Sequence, residues 1–191
     1  ARPDDRTRSM ILERLADDPQ ALGWSEAAES FVERIGFLHR ADPDTWPDWT
    51  VESLTADPSW LEAWITGATS LGEVQELDLL TVLRTTLGHD LAARADREAP
   101  VRVRLPSGRE VKVDYSGERP SIAARVQEFY GSTDTPKVAG RPLVLELLSP
   151  ANRPVQITDD LAGFWKGSWT EVRKDMAGRY PKHHWPENPG A

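Results

Sequence analysis

Basic and aromatic residues are interleaved near the end of the chain. Lysine and arginine can neutralise phosphate groups, and an exposed aromatic ring can stack on an unpaired base for roughly 1–3 kcal/mol. The residues of this stretch that could make such contacts are Lys166, Arg173, Lys174, Arg179, Lys182, His183 and Trp185. Trp165 and Trp169 lie four residues apart, in phase with the apolar side of a predicted helix, so their spacing favours the core. The tail residues Arg179, Lys182, His183 and Trp185 fit no core face. They could contact a nucleic acid or dock onto another domain, and the spacing leaves both open.

A second basic cluster is predicted on a β-hairpin. Arg102 and Arg104 alternate with three apolar residues, which predicts a strand with one buried and one basic face. Pro106-Ser107-Gly108 predicts a turn, and Arg109 and Lys112 belong to the turn and the returning strand. These four cations are candidates for phosphate contacts, although a charged outer face is also ordinary for a half-exposed sheet.

The sequence contains no motif for nucleotide binding, catalysis or metal binding. There is no G-x-x-x-x-G-K-[ST] loop for nucleotide phosphates, no D-E-x-H box and no G-x-S-x-G nucleophile motif. Asp159-Asp160 resembles a carboxylate pair, but its place before an apolar helical run favours a helix N-terminus. His183-His184 has neither cysteine nor H-E-x-x-H spacing to support a metal. We therefore predict no catalytic, cofactor-binding or metal-binding residue in this chain.

Residues 1–98 are predicted to form helices and no strands. After a lead over residues 1–7, a helix runs from Arg8 to Leu15, with Met10, Ile11 and Leu15 as its apolar edge, and a second begins at the capping residue Ser25. Residues 41–55 are predicted to form a loop. Further helices are expected from Pro58 and over residues 70–87.

Residues 99–191 are predicted to form an α+β domain with the order strand–strand–helix–strand–strand–helix. After the hairpin, the pattern predicts a helix over Ser121–Tyr130, strands over Leu143–Leu148 and Val155–Thr158, and one helix from Leu161 to Gly178. A helix between two hairpins is compatible with an OB-like domain, although an OB barrel needs five strands and four are predicted.

Charge is distributed unevenly between these halves. The 191-residue chain has a net charge of −8, but residues 1–98 carry −11 and residues 99–191 carry +3. A phosphate backbone would therefore meet the second half. The chain has no cysteine and no apolar run long enough to span a membrane, which is the pattern expected of a cytoplasmic protein.

The second half also resembles a known family. The stretches LVLELLSPANRPVQITDDLAGFW and GSWTEVRKDMAGRYPKHHWPENP resemble the C-terminal region of HrpB-type bacterial ATP-dependent RNA helicases, relatives of the DEAH-box enzymes. The likeness covers residues 105–189 and continues more loosely upstream through FLHR, TWPDW and SLGEVQELDLLTVL.

The resemblance implies a non-catalytic accessory region of a longer protein, an expectation that fits a chain beginning at Ala1. Its first half would be the tail of a helical bundle. ATP and Mg²⁺ would bind the upstream motor domains, and the implied partners are single-stranded RNA, with DNA as the alternative, and those motor domains. The competing hypothesis is a protein-interaction or bracing module that docks a partner through Trp46, Trp49, Trp60 and Trp64.

Overall fold

The structure is a computed structural model that describes residues 5–18 and 20–191. Two compact units are present, Ala1–Ala99 and Pro100–Ala191, and each is described by itself. In the described part of the chain, no helix is both long enough and apolar enough to cross a membrane.

The first unit begins with two helices that pack on a common core. Helix α1 spans Asp5–Asp17, so residues 5–7 of the predicted lead are helical, whereas residues 1–4 lie outside the described residues. Helix α2 spans Glu26–Ala41, and the Ser25 side chain accepts a hydrogen bond from the Ala28 N–H, as its capping role predicts. The expectation for Met10 is wrong, because its side chain is 62% exposed.

The loop predicted for residues 41–55 ends earlier than expected. Thr50 and Ser53 exchange hydrogen bonds as a capping box, and helix α3 follows over Val51–Ala56. A 3₁₀ helix spans Pro58–Leu61, with the Asp57 carboxylate accepting from the Ser59 N–H. Local side-chain caps therefore start two short helices in a stretch of weak apolar periodicity.

The long helix predicted over residues 70–87 is two helices. Helix α4 spans Leu71–Gln75 and helix α5 spans Leu79–Leu87. Asp78 has an extended backbone (φ −72°, ψ 93°), which interrupts the helix between them. Gly88, at a φ of 98°, then turns the chain into helix α6, His89–Glu98. The core of this unit includes the fully buried side chains of Leu15, Phe31, Ile35, Leu38, Leu61, Ile65 and Leu83.

The second unit opens with the predicted hairpin. Strand β1, Arg102–Arg104, pairs antiparallel with strand β2, Glu110–Lys112, and Val103 lies opposite Val111. Gly108 in the connecting turn has a φ of 90°, a conformation that glycine adopts without steric cost. The hairpin prediction is confirmed, but the expectation that Val101 lies on its buried face is wrong, because Val101 is 42% exposed.

The helix predicted over Ser121–Tyr130 is wrong. Strand β3, Ser121–Arg125, occupies its first half and a 3₁₀ helix, Val126–Phe129, its second. Strand β3 pairs in parallel with strand β6, Val144–Leu148, which pairs antiparallel with strand β7, Pro154–Thr158. One face of this sheet is buried through Ile122, Ala124, Leu145 and Leu147. Strand β3 forms its hydrogen bonds with a strand that is distant in sequence, so the residues near β3 do not predict that it is a strand.

Two more short strands lie in the predicted loop. Strand β4, Lys137–Val138, pairs antiparallel with strand β5, Arg141–Pro142. The described residues of this unit thus hold seven strands in sheets ordered β1-β2, β3-β6-β7 and β4-β5, against four predicted strands. The mixed helix-and-strand composition is confirmed, and the OB-like topology stays a prediction.

The last predicted helix is also divided. Helix α7 spans Leu161–Lys166 and helix α8 spans Trp169–Arg179. Gly167, with φ −105° and ψ −104°, leaves the helical conformation between them. The Asp160 carboxylate accepts a hydrogen bond from the Gly163 N–H at 2.9 Å, so this acidic pair does mark a helix N-terminus.

Candidate nucleic-acid interface

One exposed face of the β1–β2 hairpin is basic. Side chains two residues apart in a strand share a face, as do directly paired residues. Arg102 lies opposite Lys112, and Arg104 lies opposite Glu110, so the four side chains form one patch. The hairpin therefore brings together three of the predicted cations, and we call Arg102, Arg104 and Lys112 the hairpin patch.

The charges of Arg102 and Arg104 are weakly compensated. The Arg104 guanidinium is 3.9 Å from the Glu110 carboxylate, and the Arg104 side chain is 73% exposed, so this ion pair contributes little. Within the described residues, the Arg102 side chain has no hydrogen-bond or ion-pair partner. Arg102 and Lys112 are like charges in directly opposite positions, an arrangement that destabilises a sheet.

The hairpin is held against the rest of its unit at both ends. At the open end, the Tyr115 hydroxyl donates to the Pro100 carbonyl at 2.6 Å and joins the two arms of the hairpin. The backbones of Asp114 and Ser121 exchange hydrogen bonds of 2.8 and 3.0 Å, which join the hairpin to strand β3. At the turn, the Ser107 N–H donates to the Glu128 carbonyl at 3.1 Å. These bonds give the hairpin patch a defined orientation.

Arg109 lies at the turn of the hairpin, apart from the patch. Its guanidinium is 3.5 Å from the Glu128 carboxylate, which also accepts from the Ser107 hydroxyl. Farther along, the pKa of the Asp114 carboxyl is lowered mainly by the hydrogen bond from the Ser116 hydroxyl and to a smaller degree by the charge of Lys112. Asp114 stays ionised at neutral pH, so acidic residues border the patch.

The cations of helix α8 do not form one surface. With about 100° of rotation per residue, Lys174 lies about 100° and Arg179 about 240° around the helix from Arg173. Lys174 is 3.1 Å from Glu171, and Arg179 is 3.1 Å from Asp175. These residues belong to separate local ion pairs, which makes them weaker candidates for a shared phosphate contact.

The predicted exposure of Trp185 is wrong. The side chain is only 8% exposed, and its Nε1–H donates to the Tyr180 carbonyl at 2.9 Å. The Arg173 Nε–H donates to the Trp185 carbonyl at 2.8 Å, so Arg173 holds the tail onto helix α8. In this structure the indole is not available to stack on a base.

Several further bonds attach the tail to its own unit. The Trp169 Nε1–H donates to the Pro186 carbonyl at 3.0 Å, and the Tyr130 hydroxyl donates to the His184 carbonyl at 3.2 Å. Burial raises the pKa of Tyr130, so its hydroxyl keeps the proton that this bond requires. The Trp169 ring is packed edge-on against Trp165 and is 1% exposed, which confirms that both indoles belong to the core.

The remaining tail candidates are exposed. Lys166 and Lys182 have no hydrogen-bond or ion-pair partner for their side chains among the residues described. The His183 ring lies 6.4 Å from the Tyr180 ring, centroid to centroid. In residues 5–18 and 20–191, no group of three or more His, Cys, Asp or Glu side chains is arranged to bind a metal.

Sequence reasoning overlooked two further cations. Lys137 and Arg141 are exposed on the small β4–β5 hairpin, where Val138 pairs with Arg141. Strands of two residues are too short to show alternation, so the sequence carried no signal for this pair.

The comparisons with known proteins agree with one another, and the matches are to ATP-dependent helicases. Residues 60–189 match a family model described as ATP-dependent helicase C-terminal. The chain is 40% identical to the ATP-dependent RNA helicase HrpB of Escherichia coli strain K12, over 97% of the chain and 24% of that protein. It therefore spans about a quarter of the length of this curated relative.

Two solved structures are also similar. A crystal structure of the E. coli DExH-box NTPase HrpB matches all of this chain and 24% of its own, at 39% identity and a TM-score of 0.86. A crystal structure of the E. coli DEAH/RHA helicase HrpB matches 96% of this chain and 24% of its own, at 38% identity and a TM-score of 0.75. The resemblance predicted from the sequence is thereby confirmed: the chain belongs to the HrpB-type ATP-dependent helicase C-terminal family.

Proposed function

We propose that this chain is a non-catalytic accessory region that adds a single-stranded RNA contact to an NTP-driven helicase motor. The coupling of ATP and Mg²⁺ to movement would belong to motor domains of the same polypeptide, as in a relative named an ATP-dependent RNA helicase. The hairpin patch would contact the phosphate backbone, and the rest of the unit would orient it.

The observation that carries this proposal is the pairing of Arg102 with Lys112 on an exposed face. Two cations in directly opposite positions repel each other and weaken the hairpin. A phosphate lying across the pair would remove this repulsion and accept hydrogen bonds from both side chains. The nearby Arg104, only loosely paired with Glu110, would extend the contact along the strand.

The test is a titration of the chain with fluorescently labelled single-stranded RNA at several salt concentrations. Each neutralised phosphate contributes about 0.7 to the log–log salt slope for a single strand, so three contacts give a slope of about 2. We expect the triple variant R102E/R104E/K112E to show much less dependence on salt and to bind RNA at least tenfold more weakly at low salt. A parallel titration with DNA of the same sequence measures any preference between the two nucleic acids.

A matched control separates a local contact from the effect of net charge. The triple variant R14E/R97E/R153E reverses three exposed cations that lie outside both the predicted set and the β4–β5 hairpin, with the same change in net charge. Equal loss of affinity in both triple variants would assign binding to overall charge and contradict the hairpin site. No binding by the unmodified chain at low salt would remove the RNA contact altogether.

The second candidate function, a structural brace, is favoured by the tail. Three hydrogen bonds, made by Arg173, Trp169 and Tyr130, fix residues 180–186 to the rest of their unit, and Trp185 makes a fourth within the segment. A chain that binds no RNA but stabilises the motor domains when they are joined would support this function.

A further inference from the structure

The first unit contains a groove that none of the predicted sites includes. It has a volume of about 630 Å³ and lies between the end of helix α1 and the starts of helices α2 and α3. Its apolar wall includes Ala16, Leu22, Trp24 and Val51, and its polar rim includes Glu29 and Glu52. Small-molecule pockets commonly fall in this range of size.

The aromatic wall of the groove is fixed in place. The Trp24 Nε1–H donates to the Thr55 hydroxyl at 3.2 Å, and that hydroxyl donates to the Val51 carbonyl at 2.7 Å. The Trp60 ring packs beside Trp24 at 6.3 Å between centroids, and its own Nε1–H donates to the Leu54 carbonyl at 2.9 Å. Because the indole is already held, a ligand that meets it loses little side-chain entropy on binding.

The rim of the groove is negative. Glu29 and Glu52 are exposed, and neither carboxylate has an ion-pair partner among the described residues. Both lie in the first turn of a helix, where the helix dipole supplies about half a positive charge. Two full carboxylate charges exceed this offset, and none of the described residues that line the groove is a lysine or an arginine.

We infer that this groove docks a segment of a partner protein that carries an arginine or lysine beside an aliphatic residue. The cationic head would pair with Glu29 and Glu52, and the aliphatic neighbour would pack on Leu22 and Val51. The face of Trp24 would attract the same cation. The surrounding residues 1–98 carry a net charge of −11, which favours the approach of a basic partner.

This inference is independent of the proposed RNA contact, since the groove lies in the other unit and attracts the opposite charge. The predicted docking through Trp46, Trp49, Trp60 and Trp64 stays a separate prediction. Trp46 is only 2% exposed, whereas Trp24, which was not in that set, lines the groove.

The test uses the 191-residue chain and a capped peptide of alternating arginine and leucine. Binding is followed by NMR through the indole N–H signal of Trp24, assigned with a Trp24→Phe variant. We expect the signal to shift saturably, and the E29Q/E52Q variant to bind at least fivefold more weakly at low salt. The control variant E13Q/E76Q removes two exposed carboxylates that do not line the groove, and it should bind like the unmodified chain.

Two further peptides separate the parts of the site. A peptide of alternating glutamate and leucine should not bind, and one of alternating arginine and glycine should bind more weakly than the arginine–leucine peptide. Equal binding by E29Q/E52Q and the unmodified chain would overturn the inference, as would an unshifted Trp24 signal. A Trp24 shift that depends on protein concentration without peptide would assign the groove to a second copy of the chain, and would also overturn it.

Discussion

Asp96 on helix α6 accepts hydrogen bonds from both terminal nitrogens of Arg84 on helix α5, at 3.1 and 2.7 Å. The same carboxylate accepts from Arg34 on helix α2 at 2.8 Å, and the Arg34 Nε–H donates to the Ala99 carbonyl at 2.6 Å. Both guanidinium groups lie near the Phe31 ring, 5.4 Å from its centroid for Arg84 and 5.7 Å for Arg34. One carboxylate thus joins three helices of the first unit around a buried aromatic ring.

Replacing Asp96 with alanine should destabilise the first unit. The Arg34 side chain is only 5% exposed, and without Asp96 it would keep the Ala99 carbonyl as its remaining partner. We expect a loss of about 2 kcal/mol in the free energy of unfolding, measured in urea by circular dichroism. The control E98A breaks the half-exposed Arg94–Glu98 pair of the same helix and should cost less than about 1 kcal/mol. Equal losses would contradict the central role of Asp96.

Acidification should weaken this network. The hydrogen bond from Arg84, followed by that from Arg34, lowers the pKa of Asp96 in the folded chain below its usual 3.8. At a pH between the pKa of Asp96 in the folded chain and its pKa in the unfolded chain, the unfolded chain binds more protons. Stability is therefore lost as the pH falls below about 4. The unmodified chain should therefore have a higher free energy of unfolding than D96N at pH 7, and this difference should be smaller at pH 3. A difference that does not change with pH would contradict the lowered pKa.

Alanine at two glycines should have opposite effects on stability. Gly88, between helices α5 and α6, has a φ of 98°, which a residue with a Cβ adopts only with strain. G88A should lose about 1 kcal/mol of unfolding free energy. Gly178 lies within helix α8 with open space around it, and G178A should gain about 0.5 kcal/mol through helix propensity. Chemical denaturation of both variants checks the two signs, and a stabilising G88A would refute the assignment of strain.

The features that sequence reasoning predicted correctly have local causes. Helix α2 begins where Ser25 caps it, and the hairpin follows from the alternation of Val101, Val103 and Leu105 around a glycine turn. The hairpin patch could be predicted for the same reason, because alternation also places Arg102 and Arg104 on one face. In each case the signal lies within a few residues of the feature.

The features that it missed depend on distant contacts. Ile122, Val126 and Phe129 have helical spacing, yet Ile122 belongs to a strand that pairs with Leu145 more than 20 residues away. Phe129 is a buried residue of the 3₁₀ helix that follows the strand. The helical spacing of these apolar residues therefore comes from two different elements and not from one helix. The buried indole of Trp185 likewise packs beside the Trp169 ring, which lies outside the tail, and no pattern within the tail indicates this contact.

The last prediction concerns the role of the tail. Removing the Trp185 indole would leave a cavity beside Trp169 and free the Tyr180 carbonyl, so W185A should lose about 3 kcal/mol of unfolding free energy. W64A, at a tryptophan that is 40% exposed, should lose less than about 1 kcal/mol. Urea unfolding, followed by near-ultraviolet circular dichroism, compares them.

The RNA titration of W185A then separates the two possible roles of this indole. If Trp185 holds the tail in place, the variant loses stability and keeps the salt slope of RNA binding, because the hairpin patch is unchanged. If Trp185 instead stacks on a base, affinity falls while stability is retained, and the burial observed in this structure does not describe the bound state. The first result is expected, because the indole and the backbone of Trp185 are both already bonded within the second unit.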